Sequence, residues 1–429
     1  MENMISNFHK WRTKNHDNFS TAINYLFIAY AFFIPITEKP TNLILLIIFM
    51  LYLLEGSIKE KLLYALKNNF IRAIILFFLI HIIWLYSSDN KTFAMESIRN
   101  ISVILYIIIY MGSIKKEFIF KILSGFLFAM MFSEIASYLI YFQIIDPFNN
   151  ATVSDPVPFA LSHTQYSLYL SLSMGILLYI ASDNSYTKYI RMLYSLFFIT
   201  ATANIFIISS RVGFILYMVN ILLVLFVIYK QYIFKYILIS LVLLITGYSL
   251  AYNFSHTFKT RSEQTFINLN KVLDEKNYST ATGIRIGYWV YSLDVIKSNF
   301  IFGVGDGDQI TSVKNNILRL DHNKSNIEGL LCSMQNGLHS DLLDILVKFG
   351  FIGLLVYLNV FYQLYNQTPQ DKIFNVVKIL LISTFILGGL QGGVILLRDF
   401  AKLFTLLGVL IIISQNTPLP SKNNFNSLS

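Results

Sequence analysis

The chain has 429 residues, of which 55% are apolar and only 13% charged, with a mean hydropathy of +0.58. A soluble domain of this length carries about 25% charged residues to solvate its surface, so composition argues against an ordinary soluble fold. The net charge of +9 comes without a basic stripe on a polar module, which argues against nucleic-acid binding, and a single cysteine, Cys332, excludes an intrachain disulfide or a thiolate metal cluster.

Residues 1–20 are polar and basic (Lys10, Arg12, Lys14), and no small-residue cleavage site follows the first apolar run. No cleavable signal peptide is therefore expected. Apolar runs of bilayer-crossing length then recur along the chain. They predict spans over 22–37, 42–55, 70–87, 98–113, 117–145, 163–182, 189–209, 212–229, 233–253, 341–364, 373–391 and 394–414. The first two are short and read either as two spans or as one hairpin turning at Glu38-Lys39-Pro40-Thr41; counted as two, they make twelve. The expected fold is an all-α polytopic membrane protein of about 12 transmembrane helices. Lys59, Lys61 and Lys67, Lys115 and Lys116, Lys188 and Arg191, and Lys230 and Lys235 fall in loops on one side, whereas loop 146–162 has no Lys or Arg. The positive-inside rule then places both termini in the cytoplasm.

Residues 254–340 interrupt the pattern on the outer side, with nine basic and eight acidic residues. The domain plan is spans one to nine in 1–253, a large helical loop in 254–340, spans ten to twelve in 341–414 and a disordered cytoplasmic tail in 415–429. Within the loop, Ile286, Trp289, Val290, Leu293 and Ile296 recur at helical spacing and predict an amphipathic helix. Gly303-Val304-Gly305-Asp306-Gly307 ends it in a turn and lacks the Lys-Ser/Thr of a phosphate-cradling P-loop.

Three residues stand out as candidates for chemistry. Arg211, in Ser209-Ser210-Arg211-Val212-Gly213 at the outer end of a span, reads equally as a headgroup-snorkelling side chain or an anion contact. Arg285, in Thr282-Gly283-Ile284-Arg285-Ile286-Gly287, is a lipid-phosphate contact or a second anion ligand. Two forked, permanently charged donors on one cavity would suit a diphosphate. His339, in Asn336-Gly337-Leu338-His339-Ser340-Asp341 where the loop re-enters the bilayer, is a cap residue or a general base. His322 and His163 are lone histidines, structural or substrate-contacting, and Arg398 is a third anion contact or the partner of Asp399. His81 and Glu134, ionisable residues within spans, read as structural. No HxH or HExxH spacing occurs, so neither a catalytic metal nor another cofactor is expected.

These pieces resemble the O-antigen ligase and polymerase superfamily of bacterial envelope glycosyltransferases. The resemblance rests on Ser210-Arg211-Val212-Gly213; on Gly283-Ile284-Arg285-Ile286-Gly287-Tyr288-Trp289 with Phe302-Gly303-Val304-Gly305; and on His339-Ser340-Asp341-Leu342-Leu343 running to Phe349-Gly350-Phe351-Ile352-Gly353. The superfamily usually has Asn after the histidine, where this chain has Ser340. The layout looks most like the ligase branch, with one large periplasmic loop between spans nine and ten in a GT-C-like frame, and Asp321-His322-Asn323 looks ligase-like too. Polymerases typically divide their periplasmic mass between two large loops.

The resemblance implies Arg211 and Arg285 as donor diphosphate contacts and His339 as the catalytic residue. It implies an undecaprenyl-diphosphate-linked glycan as donor and lipid A–core as acceptor, with membrane lipids around and no nucleotide or nucleic acid. The expected reaction is metal-independent and inverting. The alternatives are an O-antigen polymerase, which differs in acceptor, and a polysaccharide transporter or flippase, which would carry inverted repeats and midplane charges.

Overall fold

The computed structural model describes residues 2–149, 151–159, 162–208, 210–254, 256–334 and 337–415. The tail beyond residue 415, together with Ser209 and Asn336 of the motifs, lies outside them. Every predicted span contains helix, because long apolar runs without internal turn residues satisfy their backbone only this way in lipid. In chain order the helices are α1 (Glu2–Phe33), α2 (Glu38–Glu55), α3 (Ile58–Leu66), α4 (Asn69–Leu85), α5 (Lys91–Ile101), α6 (Ile107–Ser113), α7 (Ile119–Tyr141), α8 (His163–Ser182) and α9 (Lys188–Ile207). They continue with α10 (Arg211–Ile228), α11 (Ile233–Phe254), α12 (His256–Glu275), α13 (Ala281–Ser298), α14 (Gln309–Leu320), α15 (Lys324–Ser333), α16 (Asp341–Tyr365), α17 (Lys372–Gln391) and α18 (Arg398–Ile413). Among the described residues the sole β-pairing is an isolated bridge between Thr152 and Asp155.

The chain is thus an all-α membrane protein. Among the described residues six helical runs are long and apolar enough to cross a bilayer, namely α7, α9, α10, α16, α17 and the run Lys91–Ser113 that holds α5 and α6, or seven if the pair α2–α3, bent by 113°, is one span. The twelve-span count is not reached by that measure. α4 is 17 residues, α18 is 16, and serines and tyrosines dilute the apolar character of α8. The turn between α1 and α2 falls before Glu38, so Pro40 sits in the first turn of α2, where its missing N–H costs nothing.

Side chains sort as they would around lipid. α8 is buried on nearly all sides, whereas Leu46, Met50, Phe128, Ile135, Leu196 and Ile199 point outward. Polar side chains tie helices together at depth: Asn220 of α10 donates to Ser171 Oγ of α8 at 3.1 Å and Thr384 Oγ1 of α17 at 3.0 Å. With no water to compete, such bonds hold spans in register.

Two hydrophobic cores result. The larger fills the helix bundle; the smaller lies in a helical cap formed by α12 to α15. α16 belongs to both, placing Leu343 and Val347 in the cap core and Ile345 and Phe349 in the bundle core. Its helix breaks at Gly350 (φ 62°, ψ −154°). The break frees backbone groups that segment 299–305 then satisfies: Val304 N–H donates to Val347 O at 2.9 Å, Gly305 N–H to Lys348 O at 3.0 Å, and Phe351 N–H to Phe300 O at 2.8 Å. Irregular backbone beside a span is tolerable only when paired in this way.

The amphipathic stripe expected on α13 is partly wrong. Val290 and Leu293 are exposed, while Tyr288, Tyr291, Val295 and Ile296 pack into the cap core and Ile286 and Trp289 face a cavity. α13 has apolar residues on two faces, so periodicity alone could not choose between them.

Candidate active site

Arg211 is the first residue of α10. Its neighbour Ser210 caps the helix by accepting from Gly213 N–H at 3.2 Å, and Ser167 of α8 donates to the same oxygen at 2.7 Å. Gly213 lies so close to α8 that a Cβ there would stand 2.3 Å from Ser167 Cβ. The Ser-Arg-Val-Gly run therefore works as a unit: serine caps, glycine admits the neighbouring helix, and arginine projects from the first turn. It projects toward α13, where Arg211 Nη1 donates to Thr282 Oγ1 at 2.7 Å. Thr282 precedes Arg285 by one helical turn. α13 is capped by Thr280, whose Oγ1 accepts from Gly283 N–H at 3.1 Å.

Both arginines open onto one cavity of about 510 Å³. Its wall is apolar, with Phe206, Phe214, Tyr248, Phe258, Phe266 and Trp289 contributing rings and Gln391 an amide. Phe258 packs edge-on against Phe206, Phe214 and Tyr248 at centroid distances of 5.7, 6.1 and 5.2 Å. A third guanidinium, Arg261 of α12, also lines it and belongs to no motif found in the sequence. Arg211 feels the positive charges of both Arg285 and Arg261, and among the described residues no carboxylate lines the cavity. Burial lowers the Arg285 pKa from its ordinary value without threatening its charge. The site is an apolar pocket with a concentration of positive charge, which is chemistry for an amphiphilic anion.

His339 does not line the cavity, but the positive charge of Arg285 reaches it. It is held in the left-handed region (φ 54°) after Gly337 (φ 87°), immediately before the cap of α16, where Ser340 Oγ accepts from Leu343 N–H at 3.4 Å. Its ring stacks on Tyr288 with centroids 6.0 Å apart and planes 19° apart, and it hydrogen-bonds the backbone of Ser333. Burial first, and Arg285 second, lower its pKa below the ordinary 6.5, outweighing the Ser333 contact. A neutral imidazole follows, the form that accepts a proton.

The other sequence candidates lie apart from the cavity lining. Arg398 is exposed at the start of α18 and pairs with Glu38 at 3.7 Å, while Asp399 instead binds Lys402 at 2.9 Å. His163 is exposed at the first residue of α8, and His322 is exposed just before α15. Its neighbour Asp321 accepts a 2.5 Å hydrogen bond from Tyr291.

Sequence reasoning missed the supports of the site. Asp341 is buried and accepts from Val394 N–H at 2.9 Å and Ile395 N–H at 2.8 Å, pinning the turn that follows Gln391. Asp344 accepts from the Leu338 backbone N–H, next to His339. Further along the same helix, Lys348 pairs with Asp306 at 3.3 Å, and Asp306 holds His81 Nδ1 at 2.6 Å. His81 is therefore one member of a buried ionic cluster, a setting its own sequence neighbourhood does not reveal. Two aspartates in the first turn of a span were the available signal, since carboxylates there cost too much to be left unpartnered.

Residues 196–358 match the profile of a family described as O-antigen ligase. Over that stretch the chain is similar to the family. The match runs from α9 to the middle of α16 and includes Arg211, Arg261, Arg285 and His339. O-antigen ligase family members form a glycosyltransferase-type group of ligases and polymerases, and the match supports an enzyme of that type. No curated protein sequence matches the chain.

Proposed function

We propose that this protein is an O-antigen ligase, which transfers a glycan from undecaprenyl diphosphate to a sugar hydroxyl of lipid A–core at the outer leaflet of a bacterial inner membrane. The observation that carries the reading is the meeting of Arg211 and Arg285 on one apolar cavity, with His339 within reach of the Arg285 charge. The ring-lined wall suits a prenyl chain, and the guanidinium groups suit its diphosphate. His339 removes the acceptor hydroxyl's proton as the oxygen attacks the anomeric carbon, and the arginines stabilise charge growing on the departing diphosphate. A single displacement inverts the anomeric configuration. The phosphoglycosyl bond supplies the driving force, so no nucleotide is consumed.

Arg211→Ala, Arg285→Ala and His339→Ala should each leave core lipid uncapped, with rate losses of about 10²–10³ per charged donor, while the protein remains inserted. Normal capping by all three variants would overturn the reading. Loss of the gene should leave long polymer on the carrier lipid; single repeat units there instead would identify a polymerase.

A further inference from the structure

Arg261 is the guanidinium on the cavity wall that the motifs do not explain. It stands on the exposed surface of α12, and its helix turns the row Arg261, Ser262, Thr265 and Phe266 toward the cavity. This row has the i, i+4 spacing of a single helix face. Among the described residues no ion pair engages Arg211, Arg261 or Arg285. Three like charges gathered on an apolar pocket without a carboxylate repel one another until an anion enters.

Charge counting shows which anion three guanidinium groups match. A glycan joined to a lipid through a diphosphate is a diester with two negative charges. In transfer, a lone pair of the acceptor oxygen forms the bond to the anomeric carbon. The bond from that carbon to the phosphate oxygen breaks, and its electron pair stays on the phosphate. The acceptor's proton goes to His339, and the lipid diphosphate departs with three negative charges. Two arginines balance the donor; three balance the leaving group.

We infer that Arg261 is a third diphosphate contact, engaged by the negative charge that appears as the glycosidic bond breaks, so that it favours the transition state and product over the bound donor. The inference rests on the cavity being the diphosphate site proposed above. Interactions that strengthen only as charge develops are the ones that accelerate a reaction.

The test uses the full chain in lipid nanodiscs and three probes: undecaprenyl diphosphate, the same diphosphate carrying one N-acetylglucosamine, and undecaprenol. The wild type should bind the free diphosphate more tightly than the glycosylated one. Arg261→Gln should shrink that preference about ten-fold, the scale of one charged hydrogen bond. Arg261→Lys keeps the charge but loses the fork and should fall between the two. An unchanged preference in Arg261→Gln would overturn the role of Arg261 alone. Wild-type protein that binds both diphosphates no better than undecaprenol would overturn the diphosphate reading of the cavity, and this inference with it.

Discussion

His339 combines an uncommon backbone with a tuned side chain. Its φ of 54° is costly for most L-residues, whereas asparagine tolerates it, so His339→Asn is expected to unfold within about 1 kcal/mol of wild type. The same variant should lose about 10²–10⁴ in transfer rate, as expected on removing a general base. Thermal unfolding in detergent and a transfer assay separate the two outcomes. The pH dependence carries a sign. A pKa lowered by burial and by Arg285 keeps His339 neutral at pH 7, so the acid limb of activity should lie below pH 6.5. Removing the neighbouring charge in Arg285→Gln makes the imidazolium easier to form, and the titration should move to higher pH. NMR titration of the ring in both proteins measures this, and a curve that does not move would mean that Arg285 does not act on His339.

At the scale of elements, α16 decides most. Its first turns hold the His339 turn and segment 394–395, and its break at Gly350 accepts segment 299–305. A Cβ on Gly350 would stand 2.5 Å from Ile301 O and 2.6 Å from Gly303 N, at a φ that already disfavours a side chain. Gly350→Ala should therefore cost about 2 kcal/mol or more in unfolding, and unchanged stability would mean that the paired segment is not needed. The buried ions make a second test. Burial alone would raise the Asp306 pKa, but Lys348 and His81 outweigh it and draw it down to about 2. A depressed folded-state value means stabilisation that is present above the unfolded value of about 3.9 and is lost as pH falls toward 2. Asp306→Asn leaves Lys348 without its partner and should destabilise by about 3–5 kcal/mol, whereas Asp306→Leu with Lys348→Met should recover much of the loss. Chemical denaturation of the single and double variants measures both.

For the whole molecule, the decisive question is which side of the membrane the cap occupies. Cys332, the single cysteine, is exposed on α15 within the cap. A membrane-impermeant maleimide should label it in intact spheroplasts. Labelling only after permeabilisation would place the cap, and the cavity with it, in the cytoplasm and end the proposed mechanism.

The sequence by itself determined that the chain is a helical membrane protein with a polar insertion, because run length and hydropathy are local properties that the bilayer reads directly. Helix lies over each predicted span. Only the tertiary structure decided which groups meet. Arg261 lies in an ordinary amphipathic stretch, and only the packing of α12 against α9, α11 and α13 puts it on the cavity wall. His81, Asp306 and Lys348 stand far apart in the chain, and the same fold turned one face of α13 inward and left Val290 and Leu293 outside. Such pairings depend on long-range packing and on the cost of burying an unpaired charge, which no single stretch of residues expresses.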